Sequence, residues 1–529
     1  MPIQVAIPAA GRIRDSTDAE TLLCPLFRTV AGKPFISLIL EKLKASKLDI
    51  GTISIGIHAA DQEQLEFLLQ PFSRDFVFSV KTCDHTNSAV ETLAELIAPV
   101  QRGEKVLVNL GDSLVDIEWE EVSTRDSGLG VTNEKMPIDR LATHEFSAPN
   151  GTVSRRGLVG VYWFIKSSAQ EALEEISTVE DFVLSADVSP AIVEASTWID
   201  ADYSDRFSRE ANLKFESRNF NSVKRPSGSN LIYKSSGKVE KLRSEYDFIL
   251  GLDPEAASLF PAVRSFEVSG DEAVLAMDYW PYSNLSDMYC FSNLTEGFWG
   301  SLMHQIKGVL STLRSNTSTT DSDLFHWAFI EKTRERLTQL EQEVSWFESA
   351  SVARQINGHE CESAHDLLDL AEALFAKHDK LAARVHGDFC FSNILVDPSS
   401  MMIKLVDPRG GFNGDGVLGP LDYDLAKFAH SVLGDYDLIL KGLYDLSDSD
   451  LGEQSFAIHY PPHRAIVTKA FQQHLTKSDF ELETFRLLSA LILISIPPLH
   501  LEDEARARMF LIKGRYDAQI ALERLKELV

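Results

Sequence analysis

Three oxygen-bearing side chains follow one another at short intervals in the stretch VHGDFCFSNILVD and in the MIKLVDPRGG after it. Asp388 lies in a His-Gly-Asp turn, Asn393 comes five residues later, and Asp407 ends the apolar run IKLVD. The glycine before Asp388 allows a turn that other residues resist. Phosphoryl transfer needs a carboxylate that orients the attacking hydroxyl, and amide and carboxylate oxygens that hold Mg²⁺ against the phosphates. Asp388 is the candidate for the first role, and Asn393 and Asp407 are the candidates for the second.

The strand–loop–strand setting supports this interpretation, although Asp388 alone would be interpreted as a turn aspartate. HGDFCFSN resembles the HGDxxxxN signature of the aminoglycoside phosphotransferase and choline kinase superfamily, and Asp407 stands where that family has its second metal-binding aspartate. The resemblance covers residues 218–529 and implies a two-lobed protein-kinase-like fold that uses ATP and Mg²⁺. The segment GPLDYDLAKFAHSV resembles the family's helix after the metal loop, where Asp422 or Asp424 is predicted to be a helix N-cap or a loop anchor.

The small lobe of such a fold supplies a lysine for the phosphates and a glutamate that positions it. Lys234 in LIYKSSG and Glu245 in LRSEYDFIL are the candidates, with Lys238 and Glu240 as competitors. The segment AMDYWPYSNL resembles a hinge whose backbone meets the adenine, and RPSGSN would cover the phosphates. The hinge residues predicted to bind nucleotide are Met277, Asp278 and Tyr279.

The acceptor of the phosphate is not readable from the sequence. His386 is predicted to be a buried structural partner rather than a base, and Arg409 is an open candidate for contacting substrate or phosphate charge. A quaternary-ammonium acceptor would need an aromatic cage. The aromatic residues near the hinge, which would either form such a cage or belong to the core, are Trp280, Tyr282, Tyr289, Phe298 and Trp299.

A second set of motifs occupies the first part of the chain. IPAAGR closes a strand, PLFRTVAGKPFISLILEKL follows, and TNSAVETL, VNLGDSL and WIDADYSDRF come later. Together they resemble the sugar-phosphate and phosphocholine nucleotidyltransferase family over residues 1–214. The resemblance implies that the backbone at Ala9, Ala10 and Gly11 lies against a nucleotide.

The same resemblance implies further site residues. Lys33 would lie near the substrate phosphate, and Asp112 would hold Mg²⁺ with Asp200 or Asp202 as a second ligand. Two departures stand against this pattern: Ile13 occupies or adjoins the place of the loop's second glycine, and Cys24 replaces the lysine of the PK pair. In the family that lysine offsets charge on the triphosphate in the transition state. The domain is therefore predicted to be either active with altered chemistry or a binding remnant.

Short β-rich runs alternate with helical patterns through these first residues. Strands are predicted at QVAIPAA, TISIGIH, VFSVKTC, KVLVNLGD and GLVGVYWFI, and helices at PFISLILEKLKAS, DQEQLEFLLQPF and SAVETLAELIAPV. The alternation predicts a parallel or mostly parallel sheet with helices on both faces. The resemblance implies a Rossmann-like domain of the GT-A type. Ligand sites lie beyond the carboxyl ends of such strands, where PAAG and GD stand.

A shift toward Ser, Asn and Arg in KFESRNFNSVKRPSGSN places a domain boundary near residue 215. We predict a multidomain α/β chain in which a two-lobed kinase-like domain follows the first one. The predicted parts are a nucleotidyltransferase-like domain over 1–214, a kinase small lobe with hinge over 215–285 and a helical large lobe over 286–529. Beyond Asn284 nearly everything is predicted to be helical, apart from the loop-and-strand stretch 385–406.

The composition limits the partners and the compartment. A net charge of −28 argues against nucleic acid, because binding to its backbone needs clustered Lys and Arg. The five cysteines are scattered without a CxxC pair, which favours reduced thiols in the cytoplasm over a disulfide framework or a zinc site. The apolar run 487–496 is too short to span a bilayer, so a buried helix and no membrane insertion are expected. The oligomeric state stays open.

Three functional hypotheses follow for a protein whose substrates are nucleotides and a small alcohol or sugar. The first is a bifunctional enzyme that phosphorylates this acceptor with ATP and then joins it to CTP or another NTP, and such fusions resemble enzymes of bacterial surface polysaccharide biosynthesis. The second is a small-molecule kinase with a non-catalytic nucleotidyltransferase-like domain. The third covers an aminoglycoside-type phosphotransferase and a pseudoenzyme scaffold, and the intact set of Asp388, Asn393 and Asp407 argues against the scaffold.

Overall fold

The computed structural model of the chain divides into two compact units. These are Met1–Glu216 with Phe291–Asn293, and Ser217–Cys290 with Leu294–Val529. The residues that the structure describes are 2–9, 24–30, 32–83, 89–132, 143–147, 153–166, 179, 191–200, 221–226, 229–314, 319–320, 322–352, 355–376, 381–409, 412, 418–448 and 453–528. All structural statements below concern these residues.

The first unit is built on a large sheet with helices packed against it. Its strands are β1 Ile3–Pro8, β2 Thr29–Val30, β3 Lys33–Pro34, β4 Ile50–His58, β5 Val77–Cys83, β6 Lys105–Asn109, β7 Ser113–Asp116, β8 Gly128–Thr132, β9 Thr143–Ser147, β10 Val153–Ile165, β11 Ala191–Glu194 and β12 Thr197–Asp200. Its helices are α1 Phe35–Ala45, α2 Gln62–Leu69, α3 Ala89–Ile97 and α4 Trp119–Thr124. The large sheet has the order β11-β8-β10-β6-β1-β4-β5 with β9 on β10, while β12 pairs with β7 and β2 with β3.

The centre of this sheet is parallel, as the strand–helix alternation predicts. β1 runs parallel to β4 and to β6, and β4 runs parallel to β5. β10 differs, because it is antiparallel to β6, β8 and β9. Only residues 148–152 separate β9 from β10, which is too short for the crossover that a parallel pair requires. The sheet is therefore mixed around a parallel centre.

The helix α3 shows how the sequence pattern forms the core of the first unit. Val90, Leu93 and Leu96 recur at helical spacing and are buried. They belong to the same buried cluster as Val106 and Val108 of β6. Because β6 is covered in this way, its sequence is a continuous apolar run rather than an alternating one.

The second unit begins with a small antiparallel sheet. Its elements are β13 Asn221–Lys224, β14 Leu231–Ser236, α5 Val239–Leu250, α6 Pro254–Ala257, β15 Val263–Ser269 and β16 Glu272–Asp278. The strand order is β13-β14-β16-β15, with antiparallel neighbours throughout. A small β-rich lobe thus precedes the helical part of this unit.

The helical part carries short strands between its helices. The helices are α7 Leu285–Phe291, α8 Glu296–Arg314, α9 Ser322–His326, α10 Lys332–Glu343, α11 Phe347–Val352, α12 Ala364–Phe375, α13 Tyr423–Val432, α14 Tyr436–Leu440, α15 Arg464–Leu475, α16 Asp479–Ser495 and α17 Glu504–Leu528, with a π-helical turn at Trp327–Glu331. The strands are β17 Ser283–Asn284, β18 Thr319–Thr320, β19 Gln355–Ile356, β20 His359–Glu360, β21 Leu381–Arg384, β22 Ile394–Val396, β23 Ile403–Leu405, β24 Leu418–Pro420, β25 Tyr444–Asp448 and β26 Glu453–Ile458.

One sheet of the second unit contradicts the sequence prediction. β20, β19, β26 and β25 pair in that order, so the prediction that nearly everything outside residues 385–406 is helical is wrong here. The strands are short and carry few apolar residues in alternation. Strands of two to six residues are too short to give a clear periodic signal.

The apolar run near residue 490 forms the buried helix α16, as predicted. Its packing against α17 depends on Gly514, where a Cβ would lie 2.8 Å from Cγ1 of Ile494. The close approach leaves Leu491 and Leu493 without solvent exposure. Among the described helices, none is long and apolar enough to cross a membrane.

Candidate active sites

The His-Gly-Asp turn has a backbone that requires glycine. Gly387 has a φ of +80°, in the left-handed region that L side chains disfavour. A Cβ there would lie 2.7 Å from Cβ of Arg409 and 3.0 Å from Cε2 of Phe412. The Arg409 N–H donates to the His386 carbonyl over 2.8 Å. The turn therefore packs directly against the segment that follows Asp407.

Asp424 on α13 anchors this turn. Its carboxylate accepts the N–H of His386 over 2.7 Å and the N–H of Gly387 over 2.8 Å. Asp424 is buried, and burial raises the pKa of its carboxyl although these bonds oppose the shift. Asp422 precedes the helix without a side-chain capping hydrogen bond. Of the two aspartates considered from the sequence, Asp424 is the loop anchor.

Removing this anchor should destabilise the second unit. Asp424→Ala leaves two buried N–H groups without their acceptor, so the free energy of unfolding is expected to fall by about 2–6 kcal/mol at about 1–3 kcal/mol per group. Urea unfolding followed by circular dichroism measures the loss. Asp422→Ala is the matched control, with an expected change below about 1 kcal/mol. Equal losses in the two variants would contradict the anchoring role.

His386 lies inside the protein, where its ring contacts Phe260 and the backbone of the turn. It is 0% exposed, and burial lowers the pKa of its imidazole. Its ring stacks on Phe260 with centroids 5.9 Å apart, and Nδ1 accepts the N–H of Asp388 over 3.3 Å. A neutral, enclosed ring of this kind supports the turn and does not face a substrate.

The two oxygens of the Asp388 carboxylate have different partners. Oδ1 lies 2.8 Å from Nζ of Lys427, and Oδ2 accepts from Nδ2 of Asn393 over 3.1 Å. Nδ2 of Asn393 also donates to the Asp388 carbonyl over 2.9 Å. Because the amide nitrogen of Asn393 faces Asp388, its amide oxygen is the atom that can bind a metal. The Val406 N–H donates to the Asn393 carbonyl over 3.0 Å, which brings the end of β23 alongside.

A lysine bridges two carboxylates at the other side of this site. Nζ of Lys234 lies 2.6 Å from Oε2 of Glu245 and 2.6 Å from Oδ1 of Asp407. Burial would lower the pKa of Lys234, but the two carboxylates outweigh it and raise the pKa. Burial likewise acts to raise the pKa of Asp407, and Lys234 lowers it below its usual range. The competitors Lys238 and Glu240 are exposed.

Asp407 combines features of a metal ligand. Its φ of +58° is unusual for a non-glycine residue and turns the chain at the end of the strand. Its side chain is half exposed, unlike that of buried Glu245. A carboxylate and an amide oxygen suit Mg²⁺, which takes few protein ligands and completes its shell with phosphates and water. Among the described residues, no group of three or more His, Cys, Asp or Glu side chains is arranged to hold a metal ion.

The predicted hinge residues lie at the end of β16. Met277 is buried and pairs across the sheet with Ile232. Asp278 is held by Arg264 through two bonds of 2.6 Å, and the Tyr279 N–H donates to the Asn230 carbonyl over 2.8 Å. The phosphate-covering loop predicted at RPSGSN lies partly outside the described residues.

The aromatic residues considered as a cage are divided between the core and half-buried positions, and the half-buried ones are Trp280, Tyr282 and Phe298. Tyr289 and Trp299 are 0% exposed and pack against His463. They therefore belong to the core and cannot contact an acceptor. Near Asp388 a different aromatic pair occurs, because the Arg409 guanidinium lies 4.7 Å from the ring centroid of Phe412 and 5.6 Å from that of Trp327.

Two residues near the His-Gly-Asp turn were not singled out from the sequence. Lys427 contacts Asp388, and its spacing from Asp424 would have suggested a shared helix face, because residues three apart on a helix are neighbours. Cys390 is buried beside Asp388, and burial raises the pKa of its thiol to about 12. Cys390 is therefore a buried, protonated thiol within the loop.

In the first unit, the ends of β1 and β6 approach each other. Gly111 has a φ of +81°, and a Cβ there would lie 3.1 Å from Cβ of Ala9. Asn109 shapes this turn by accepting the Gly111 N–H over 2.8 Å. Oδ1 of Asp112 accepts from the Ser113 hydroxyl over 2.9 Å. Asp112 thus leaves the sheet close to the strand end that carries Ala9.

The second predicted ligand of this site lies on a neighbouring strand. In the antiparallel pair of β12 and β7, Asp200 stands opposite Ser113, which is the residue that follows Asp112 in the chain. Lys33 forms an exposed ion pair of 2.6 Å with Glu41. Ala10, Gly11, Ile13 and Asp202 lie outside the described residues.

Cys24 does not take over the role of the lysine that it replaces. Its side chain is 2% exposed, and its Sγ lies 3.9 Å from the Ala9 carbonyl. A buried thiol carries no positive charge that could offset a triphosphate. With Cys24 in place of a lysine, this position therefore lacks the positive charge that the family pattern would supply.

No family model and no curated sequence matches this chain. Among solved structures, aminoglycoside-3'-phosphotransferase of type VIII aligns at 18% identity over 51% of this chain and 88% of that chain, with a TM-score of 0.31. A thermostable mutant of aminoglycoside phosphotransferase APH(4)-Ia aligns at 12% identity over 57% and 89%, with a TM-score of 0.38. UDP-glucose pyrophosphorylase complexed with UDP-glucose aligns at 11% identity over 40% and 98%, with a TM-score of 0.33. At these identities and scores the likenesses assign no family, so function rests on the geometry of the sites.

Proposed function

We propose that the second unit transfers the terminal phosphate of ATP to a hydroxyl of a small alcohol or sugar. The observation that carries this proposal is two sets of side-chain contacts near the His-Gly-Asp turn. Asp388 and Asn393 bond to each other, and Lys234 bridges Glu245 and Asp407. A base, an amide oxygen, a carboxylate and a held lysine are the parts that phosphoryl transfer requires.

Each side chain has a distinct role in this proposal. Asp388 orients the acceptor hydroxyl and accepts its proton as the new bond to phosphorus forms. Lys234, held by Glu245, contacts the phosphates. Asn393 and Asp407 would hold Mg²⁺, which offsets phosphate charge when bound. The hinge around Met277, Asp278 and Tyr279 would contact the adenine.

The acceptor class can be found with the intact protein. Transfer of labelled phosphate from ATP or CTP, with Mg²⁺, is measured for choline, ethanolamine, glycerol, glucose and an aminoglycoside, and thermal shifts report binding of each compound. Transfer to an alcohol or sugar is the expected result. Transfer to the aminoglycoside alone would favour a resistance-type phosphotransferase. Absence of transfer to every acceptor, with retained nucleotide binding, would contradict the kinase proposal.

For the first unit we propose a nucleotide site that links nucleotide to the phosphorylated product. The observation that favours it is that Asp200 stands opposite Ser113, beside Asp112, where Gly111 packs on Ala9. Two acidic residues at a strand end suit Mg²⁺ and a triphosphate. Both activities in one chain would make a bifunctional enzyme of the kind that supplies activated groups for surface polysaccharide.

Loss of Asp112 tests this second activity. With CTP or another NTP, Mg²⁺ and the phosphorylated acceptor, Asp112→Asn should lower the rate of pyrophosphate release by at least about 100-fold, since even indirect partners of a metal contribute about 10–100-fold. Phosphate transfer by the second unit should change by less than about threefold.

Asp116→Asn, at the far end of β7, is the control for this test. It should leave both rates unchanged. Undetectable pyrophosphate release by the wild-type protein, with retained nucleotide binding, would favour a non-catalytic binding domain instead.

A further inference from the structure

Lys427 is a buried lysine whose ammonium lies against the candidate catalytic carboxylate. The residue is 9% exposed, and its Nζ lies 2.8 Å from Oδ1 of Asp388. Burial alone would lower the pKa of Lys427, but Asp388 together with smaller contributions from Cys390, Tyr423 and Tyr436 raises the pKa above its ordinary value. The side chain is therefore charged at neutral pH and forms a partly buried ion pair with Asp388.

Besides Asp388, the Lys427 ammonium has an imidazole, a thiol and two phenols around it. Its Nζ lies 3.4 Å from Nε2 of His430, and burial together with Lys427 keeps the pKa of that imidazole well below its usual value. The ring centroid of Tyr436 lies 5.9 Å away. The other groups that act on its charge are the buried Cys390 thiol and the Tyr423 phenol. The ammonium is thus directed at Asp388.

The helix α13 holds the catalytic turn at two points. Asp424 accepts the backbone N–H groups of His386 and Gly387, and Lys427, one turn later, holds the side chain of Asp388. Residues three apart on a helix share a face, so one rigid surface sets both the turn and the direction of its carboxylate.

We propose that Lys427 is a positioning residue for phosphoryl transfer, an inference that rests on the proposed kinase activity. Lys427 fixes Oδ1 of Asp388, while Oδ2 accepts from Asn393 and keeps a second lone pair for the acceptor hydroxyl. As the hydroxyl oxygen bonds to phosphorus, its proton passes to Oδ2 and the bond from phosphorus to the nucleotide oxygen breaks. A carboxylate held at both oxygens needs no reorientation for this step.

Lys427→Met removes the charge at nearly constant length and tests the inference. We expect kcat for transfer from Mg-ATP to the acceptor chosen above to fall by roughly 10–100-fold, the range for groups that position a ligand or base. KM for ATP should change by less than about threefold, since Lys427 does not contact the nucleotide. Lys427→Arg keeps the charge and should retain more activity than the methionine variant.

A matched control is Lys513→Met, which removes another buried lysine whose partners are Asp435 and Asp517. Its melting temperature should fall, yet its kcat should stay within about threefold of wild type. Should Lys427→Met fail to fold, Lys427→Arg supplies the same readout, because it displaces the charge and should lower kcat without raising KM for ATP.

Combination with Asp388→Asn separates positioning from a structural role. Because Lys427 acts through Asp388, adding Lys427→Met to Asp388→Asn should lower kcat by less than about threefold further. Additive losses, or single Lys427 variants with wild-type kcat, would overturn the inference while the kinase proposal stands. If the wild-type protein transfers phosphate to none of the acceptors, the proposed function fails and this inference fails with it.

Discussion

Asp388→Asn is expected to lower kcat for phosphate transfer from Mg-ATP by roughly 10²–10⁴-fold, the usual contribution of a positioned general base. Asparagine keeps the shape of the side chain but cannot take the proton of the acceptor hydroxyl. Its amide also loses the ion pair with Lys427. KM for ATP should change little, because the proposed role of Asp388 is to contact the acceptor and not the nucleotide. Steady-state transfer at saturating ATP and Mg²⁺ measures both constants.

Asp397→Asn is the control. The Asp397 carboxylate accepts hydrogen bonds within its own turn, which is the role that Asp388 would have if it were a turn residue without catalytic function. Its Oδ1 accepts the Ser399 N–H over 3.0 Å, and Oδ2 accepts from the Ser400 hydroxyl over 2.6 Å. Its kcat should stay within about threefold of wild type. If Asp388→Asn itself retained kcat within about tenfold of wild type, another group would have to accept the proton and the assignment would be wrong.

Asp407→Asn is expected to raise the Mg²⁺ concentration for half-maximal rate by at least about 100-fold. Loss of groups that only support a metal ligand already costs about 10–100-fold, and Asp407 would be a direct ligand. Of the two proposed ligands, Asn393 and Asp407, only Asp407 carries a negative charge, and the substitution removes that charge. Titration of Mg²⁺ at fixed ATP concentration measures the effect.

Lys234→Met separates this role of Asp407 from its ion pair. The lysine variant also breaks the 2.6 Å contact between Nζ and Oδ1 of Asp407, but it leaves the carboxylate in place. It should raise KM for ATP and shift the Mg²⁺ requirement by less than about threefold. Equal shifts of the Mg²⁺ requirement in both variants would mean that Asp407 acts by holding the lysine.

The candidate site around the His-Gly-Asp turn could be predicted from the sequence because its parts are local. Asp388, Asn393 and Asp407 lie on one strand–loop–strand segment, so their order and spacing carry the information. Lys234 and Glu245 could be proposed as a pair, but only burial separates them from the exposed Lys238 and Glu240.

The remaining parts of the site depend on contacts between distant segments. In the second unit, Lys427 of helix α13 contacts Asp388 in the His-Gly-Asp turn. In the first unit, Asp200 stands opposite Ser113 because two short strands pair. Neither contact has a periodic signal in the sequence. The sheet is mostly parallel in its centre, as predicted, but the antiparallel course of β10 could not be predicted individually, since strand–helix alternation indicates the presence of strands and not their direction.

Lys234 joins the two lobes of the second unit, because it bonds Glu245 of α5 and Asp407 beyond β23. In the proposed function, the phosphates of the nucleotide would have to take the ammonium over from Asp407. Their contact with Lys234 would replace an ion pair and would add less to affinity than a contact with an unpaired lysine. After transfer, Asp407 would compete for the lysine again. In enzymes whose turnover is limited by product release, such an internal competitor shortens the residence time of the spent nucleotide.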